Sequence, residues 1–98
     1  MNFAKEYSRK LVSADEAVKC VKSGDHVLYG EFVMNSQLLD AALARRKEEL
    51  FDVKVRTTTC PFAPQVVLSD PEQEHFIYTD VHFSAASRRL HDKELCYY

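Results

Sequence analysis

Residues 26–59 place a strand, a helix and a second strand in immediate succession, and that order leaves few architectures open. His26-Val-Leu-Tyr29 reads as a short, buried apolar strand that stops at Gly30. After a loop, Ser36 is placed to cap a helix on which Leu39, Leu43 and Leu50, with Ala42 alongside, share one side. Asp52 to Thr59 then alternates apolar and polar residues and is rich in β-branched side chains, the pattern of a strand. Two strands joined by a helix pair in parallel, through a crossover that is almost always right-handed. The expected fold is therefore α/β, a mainly parallel sheet flanked by helices. In such sheets ligands bind outside the carboxyl ends of the strands, which makes the loop Gly30–Asn35 the first candidate site.

The flanking segments extend the same plan. Phe3 to Arg9 has the composition of one or two helical turns. Ser13-Ala-Asp-Glu16 has the form of a capping box, in which a hydroxyl and a carboxylate each bond the other residue's amide. Ala14, Ala17, Val18 and Val21 form one apolar stripe behind it, and Gly24 stops the helix because it is free to take positive φ. Beyond the second strand, Pro61 and Pro64 exclude a central strand, and Gln65 to Leu68 is a short helix or an extended run. Asp70-Pro71-Glu72 makes a turn. Glu74 to Thr79 is the third strand, with His75, Ile77 and Thr79 on one face and Phe76 and Tyr78 on the other. Ser84 or a neighbour caps a helix through Leu90, and Leu95 to Tyr98 opens a fourth strand. Because a domain seldom ends on an apolar aromatic strand, residues 1–98 are expected to be the N-terminal piece of a longer protein.

Composition excludes several classes. Thirteen basic and fifteen acidic residues are interspersed, with no concentrated cationic face, so nucleic acid is not an expected partner. Arg45 to Glu49 mixes both signs and reads as a solvated face. Three widely spaced cysteines, Cys20, Cys60 and Cys96, suggest neither a disulfide framework nor a zinc site, and place the chain in a reducing cytoplasm. The N-terminus lacks the basic start and apolar run of a signal peptide, and no window is long and apolar enough to cross a membrane. With only Gly24 and Gly30, there is no glycine-rich phosphate loop. The four histidines lack metal-ligand spacing. His91 reads as a solvated partner of Asp92 at a helix end.

Three candidates for chemistry remain. Cys60 lies at a strand end but has no base or cation nearby in sequence to lower its pKa; an independent enzyme built on it would lose activity on alkylation. Glu31 follows Gly30 directly, as a solvated loop residue or as a carboxylate in a site. Phe32, Val33 and Met34 are apolar residues in a loop, and either fold under to fill core or line a pocket for something aliphatic.

Taken as an ordered series, Lys10-Leu-Val-Ser-Ala-Asp-Glu-Ala-Val-Lys-Cys-Val-Lys-Ser-Gly-Asp-His-Val, Tyr29-Gly30, Leu39-Asp-Ala-Ala-Leu-Ala-Arg-Arg-Lys-Glu-Glu-Leu, Asp52-Val-Lys-Val, Glu74-His-Phe, Phe83-Ser-Ala-Ala-Ser-Arg-Arg and Tyr97-Tyr98 resemble the N-terminus of the acetyl-CoA hydrolase/transferase family. Within it, the likeness is to butyryl-CoA:acetate and 4-hydroxybutyrate CoA-transferases. The resemblance implies that residues 1–98 are the first part of an N-terminal domain in a two-domain α/β enzyme several times longer. Coenzyme A is then a substrate, with no resident cofactor or metal. The implied partners are acyl-CoA, a carboxylic acid and the remainder of the same polypeptide.

Family members attack the thioester with a glutamate of the second domain, so that role falls on no residue here, and residues 1–98 alone are expected to be inactive. The resemblance carries the acyl pocket and an oxyanion hole of backbone amides onto Gly30, Glu31, Phe32, Val33, Met34 and Asn35, with Phe32, Val33 and Met34 as acyl contacts. Many members have an extra glycine and a proline in this loop where Val33, Met34 and Ser36 stand, a departure that bears on the oxyanion role more than on the acyl contacts. The rival expectation is a non-catalytic α/β module for small-molecule binding or dimerisation. Apolar surface left open by a missing second domain would favour homo-oligomers.

Overall fold

A computed structural model describes residues 2–98. Helix α1 (Phe3–Lys10) buries none of its residues. Helix α2 (Ala14–Ala17) continues as a 3-10 turn over Val18–Cys20 and leads into strand β1 (His26–Glu31). A 3-10 turn (Phe32–Met34), helix α3 (Gln37–Arg45) and strand β2 (Val53–Thr58) follow, then the short helix α4 (Gln65–Leu68), strand β3 (Phe76–Asp80) and helix α5 (Ala85–Asp92). The strands form one sheet in the order β1-β2-β3, parallel throughout. Tyr97 starts a fourth parallel position beside β3: its amide donates to the Tyr78 carbonyl at 2.9 Å and its carbonyl accepts from the Asp80 amide at 3.0 Å.

Local signals account for most of these boundaries. Ser36 Oγ accepts from the Leu39 amide at 3.2 Å and starts α3. Gly24 turns the chain at φ 86°. Ser13 makes only half of the expected box: its Oγ accepts from the Glu16 amide, whereas the Glu16 carboxylate pairs with Lys19 at 2.7 Å. The complete box is at Ser84 and Ser87, where each side chain accepts from the other's amide. The charge run after α3 is not wholly solvated. Arg46 reaches back to the carbonyls of Val18 and Val21 at 2.6 and 2.7 Å, and Lys47 Nζ donates to the Ser69 carbonyl at 2.7 Å. Both satisfy carbonyl groups left over where short helical segments end.

The core lies on one side of the sheet. Val53, Val55, Phe76 and Tyr78 form a single apolar cluster with Val18, Ala42, Leu43, Val66 and Leu90, so the helices that contribute to the core share one face. The opposite face is open: Leu28 is 72% exposed, and with Arg56, Ile77 and Tyr98 it lines a hollow of ≈ 520 Å³. Strand β1, read from sequence as buried, is instead a half-exposed margin of the sheet, because nothing pairs with its outer side or covers its second face among the described residues. His75 also departs from the alternation assigned to it. It sits ahead of β3, buried, with Nδ1 2.8 Å from the Leu50 carbonyl and its ring 5.0 Å from that of Phe51.

Three buried aspartates hold the connections in place, and their partners are mainly backbone amides. Asp70 accepts from the amides of Glu74, His75 and Phe76 at 3.1, 2.8 and 2.8 Å and fixes the start of β3. Asp80 accepts from Thr59 and Cys60 at 2.6 and 3.3 Å and fixes the exit of β2. Asp40, on α3, accepts from Gln65 and Val66 at 2.6 and 3.3 Å, capping α4, whose own N-cap residue Pro64 has no side-chain acceptor. A carboxylate removed from water is tolerable only when donors of this kind replace its hydration.

Candidate functional site

The carboxyl end of β1 is irregular in a way its sequence requires. Leu28 pairs with Arg56 and Glu31 with Thr58, so β1 uses three steps where β2 uses two, which is a bulge. Gly30 lies inside it. A Cβ on Gly30 would stand 2.3 Å from the Met34 carbonyl oxygen and 2.8 Å from its carbon, so only glycine allows the strand and the returning turn to approach this closely. Phe32 then takes φ 53°, a left-handed conformation uncommon for a bulky residue. Asn35 closes the turn, its Nδ2 donating to the Phe32 carbonyl at 2.5 Å, while its buried Oδ1 has no partner among the described residues.

The six residues of Gly30–Asn35 do not form one surface. Gly30 and Met34 line an apolar crevice of ≈ 340 Å³ whose walls include Val18, Tyr29, Leu39 and Leu43. Glu31, Phe32 and Val33 lie outside that lining, with Phe32 and Val33 53% and 85% exposed, and Asn35 is buried beneath. None of Phe32, Val33 and Met34 fills core, which removes that alternative; among these three, Met34 alone contributes to the crevice lining, and it is itself 77% exposed.

A polar layer supports the crevice from below. The Tyr29 hydroxyl donates to Asp40 Oδ1 at 2.7 Å, joining the residue before Gly30 to the cap of α4. Burial pushes the Tyr29 phenol far up, reinforced by the Asp40 charge and hydrogen bond, so it remains a donor at any physiological pH. On the neighbouring strands the hydroxyls of Thr57 and Tyr78 meet at 2.7 Å, and burial likewise raises Tyr78. Thr59, a β-branched residue at φ 51°, is held in that conformation by its amide's bond to Asp80.

Cys60 is fully buried, and its Sγ donates to the Phe62 carbonyl at 3.2 Å. Burial raises its pKa, and also raises Cys96 to about 11, so both stay as thiols at neutral pH. Alkylation of the native protein at pH 7.5 (roughly a unit below an ordinary thiol pKa) is therefore expected to mark Cys20, the exposed one, before Cys60 or Cys96. Peptide masses taken over a time course check this, and equal rates at all three would contradict the structure. Among the described residues no group of three or more His, Cys, Asp or Glu side chains is arranged to hold a metal. His91 bonds the Cys96 carbonyl through Nδ1 at 2.8 Å instead of pairing with Asp92.

Residues 1–93 match the acetyl-CoA hydrolase/transferase N-terminal domain. The chain belongs to this family. It is 42% identical over 92 residues to a probable butyrate:acetyl-CoA coenzyme A-transferase of Syntrophomonas wolfei, covering 94% of this chain and 21% of that protein. It is 37% identical over 98 residues to a butyryl-CoA:acetate CoA-transferase of Anaerostipes caccae, covering 100% and 22%. The crystal structure of RipA from Yersinia pestis superposes with a TM-score of 0.78 at 24% identity, over 97% of this chain and 23% of that one, a likeness in fold. The chain thus spans about a fifth of the length of the relatives it matches.

In this acetyl-CoA hydrolase/transferase domain, Asp40 and Asp80 are the supporting residues that sequence reasoning missed. The signals were present. Asp40 is an acid three residues before Leu43, inside the arc of α3 that should be apolar, and Asp80 continues the buried alternation Phe76, Tyr78 with a carboxylate. A charged residue at a core position implies local donors that a propensity pattern does not show.

Proposed function

We propose that this chain is the N-terminal part of a CoA-transferase that moves CoA between a short-chain acyl-CoA, butyryl-CoA or similar, and a carboxylic acid such as acetate. The observation that carries the reading is an apolar crevice along β1 from Val27 to Gly30, in a chain of this family, with Gly30 and Met34 lining it where the strand ends. The names of the two relatives support the substrate class. A glutamate beyond Tyr98 attacks the thioester carbonyl and expels CoA thiolate, leaving an acyl-glutamyl anhydride. The thiolate attacks the glutamyl carbonyl of that anhydride and releases the first carboxylate, leaving a glutamyl thioester. A second carboxylate then collects the CoA by the reverse sequence.

In this scheme CoA is a substrate, no resident cofactor takes part, and the backbone amides of Gly30–Asn35 are offered as donors to the oxyanion of the tetrahedral intermediate. Residues 1–98 alone lack the nucleophile and are inactive. Three free cysteines favour a reducing, cytoplasmic setting. Among the described residues no helix is long and apolar enough to cross a membrane.

The deciding experiment uses the full-length protein: CoA exchange between butyryl-CoA and acetate, with borohydride or hydroxylamine trapping of an enzyme-bound glutamyl thioester. Exchange without a trappable thioester would reject the mechanism, and no exchange would reject the activity. Met34→Ala enlarges the crevice and is expected to raise kcat/KM for hexanoyl-CoA relative to butyryl-CoA by about tenfold, the scale set by one or two methylenes in an apolar pocket. An unchanged ratio removes Met34 from the acyl site.

A further inference from the structure

A second hollow, also of ≈ 340 Å³, adjoins the crevice and differs from it chemically. The crevice is walled by Ser36, Leu39 and Leu43, whereas the second hollow uses Gln37, Asp40 and Ala41, on the neighbouring face of the same helix. Its other wall is Phe62, Ala63 and Gln65, where the chain passes from the carboxyl end of β2 into α4. Gln37 and Gln65 are the exposed first residues of α3 and α4, and Asp40 ties the two helices together by accepting from the Gln65 amide at 2.6 Å. Among the described residues no Lys, Arg or His lines this hollow. The Asp40 carboxylate is already occupied by the Tyr29 hydroxyl and the amides of Gln65 and Val66, and its charge repels a second anion. Neither a phosphate nor a free carboxylate suits such a place. A neutral amide does: each carboxamide offers N–H donors and a carbonyl acceptor, the complement of a secondary amide, and Phe62 gives methylene and methyl groups an apolar surface.

We propose that this hollow holds the pantetheine arm of the acyl-CoA, with Gln37 and Gln65 bonding one of its amide groups. The assignment rests on the transferase reading above. A thioester carries its acyl chain on one side of the reacting carbonyl and the pantetheine arm on the other. The two hollows flank the first turn of α3 in the same manner, one apolar for the tail and one lined by carboxamides for the arm. The nucleotide end of CoA, which carries the phosphates, lies outside this hollow.

The test measures exchange to acetate, by the full-length protein, from three butyryl thioesters: that of CoA, that of pantetheine, which lacks the nucleotide, and that of 2-mercaptoethanol, which lacks the amides as well. Gln37→Met and Gln65→Met keep side-chain length and helix preference while removing the polar group. Each is expected to lower kcat/KM for the CoA and pantetheine thioesters about fivefold relative to the mercaptoethanol thioester, the scale of one neutral hydrogen bond. An equal loss on all three donors means the glutamines act on the thioester or on the fold, and overturns the subsite. A loss confined to the CoA thioester assigns the hollow to the nucleotide and overturns it equally, as does full activity of both variants on every donor. Wild-type protein that exchanges none of the three removes the transferase reading itself, and the subsite with it, a result visible before any substitution is made.

Discussion

Gly30→Ala, made in the full-length protein, is expected to reduce CoA exchange by about 100-fold, because a displacement near 1 Å at a positioned group costs on that order. The added methyl would have to occupy space 2.3 Å from the Met34 carbonyl oxygen, and the obstructing atoms include backbone, so no rotamer change relieves it. Either the bulge in β1 opens or the turn Phe32–Met34 moves outward, and in both cases the crevice loses the wall that Gly30 and Met34 form together. The stability loss should be modest, about 1–3 kcal/mol as for other overpacked sites. The informative result is thus a fall in activity much larger than the fall in stability. Turnover within a factor of about two of wild type, a difference under 0.5 kcal/mol, would show that the close approach has no role in the reaction.

Asp40→Ala has the largest expected effect on stability. It leaves the Tyr29 hydroxyl and the amides of Gln65 and Val66 facing a cavity, and buried donors without acceptors cost about 1–3 kcal/mol each. A total near 4 kcal/mol is a large part of what holds a domain together, so chemical denaturation should show a strongly lowered midpoint. Asp40→Asn keeps one acceptor oxygen and should recover part of the loss. Tyr29→Phe removes one donor and should cost about 1 kcal/mol. A double-mutant cycle between Tyr29→Phe and Asp40→Ala should give a coupling of about 1 kcal/mol. If Asp40→Ala costs less than about 1 kcal/mol, the carboxylate does not carry the load assigned to it.

The contrast between these two residues shows what the chain reveals before it folds. The succession of helices and strands along the chain, the Ser36 cap, the Gly24 turn and the parallel pairing follow from periodicity and turn chemistry, which act over a few residues and are written in consecutive letters. The role of Asp40 depends on two amides 25 and 26 positions away, and no local pattern encodes that distance. The exposed face of β1 was misread for a related reason. An apolar run such as Val27 to Tyr29 has the same composition whether both sides are covered within the domain or one awaits another segment. That residues 30–35 lie at a strand's carboxyl end was legible from the break at Gly30, but which of them face the crevice depends on a bulge and a left-handed Phe32, neither of which a periodicity shows.

The bulge has a consequence apart from catalysis. A straight outermost strand offers an unbroken row of amides and carbonyls to any extended segment of another molecule, the first step toward amyloid-like stacking. Beyond Leu28 the extra residue in β1 interrupts that row and sharpens the local twist, so a foreign strand could align with at most the first few residues before losing register. Among the described residues, the irregularity that shapes the crevice therefore also makes this margin a poor template for aggregation.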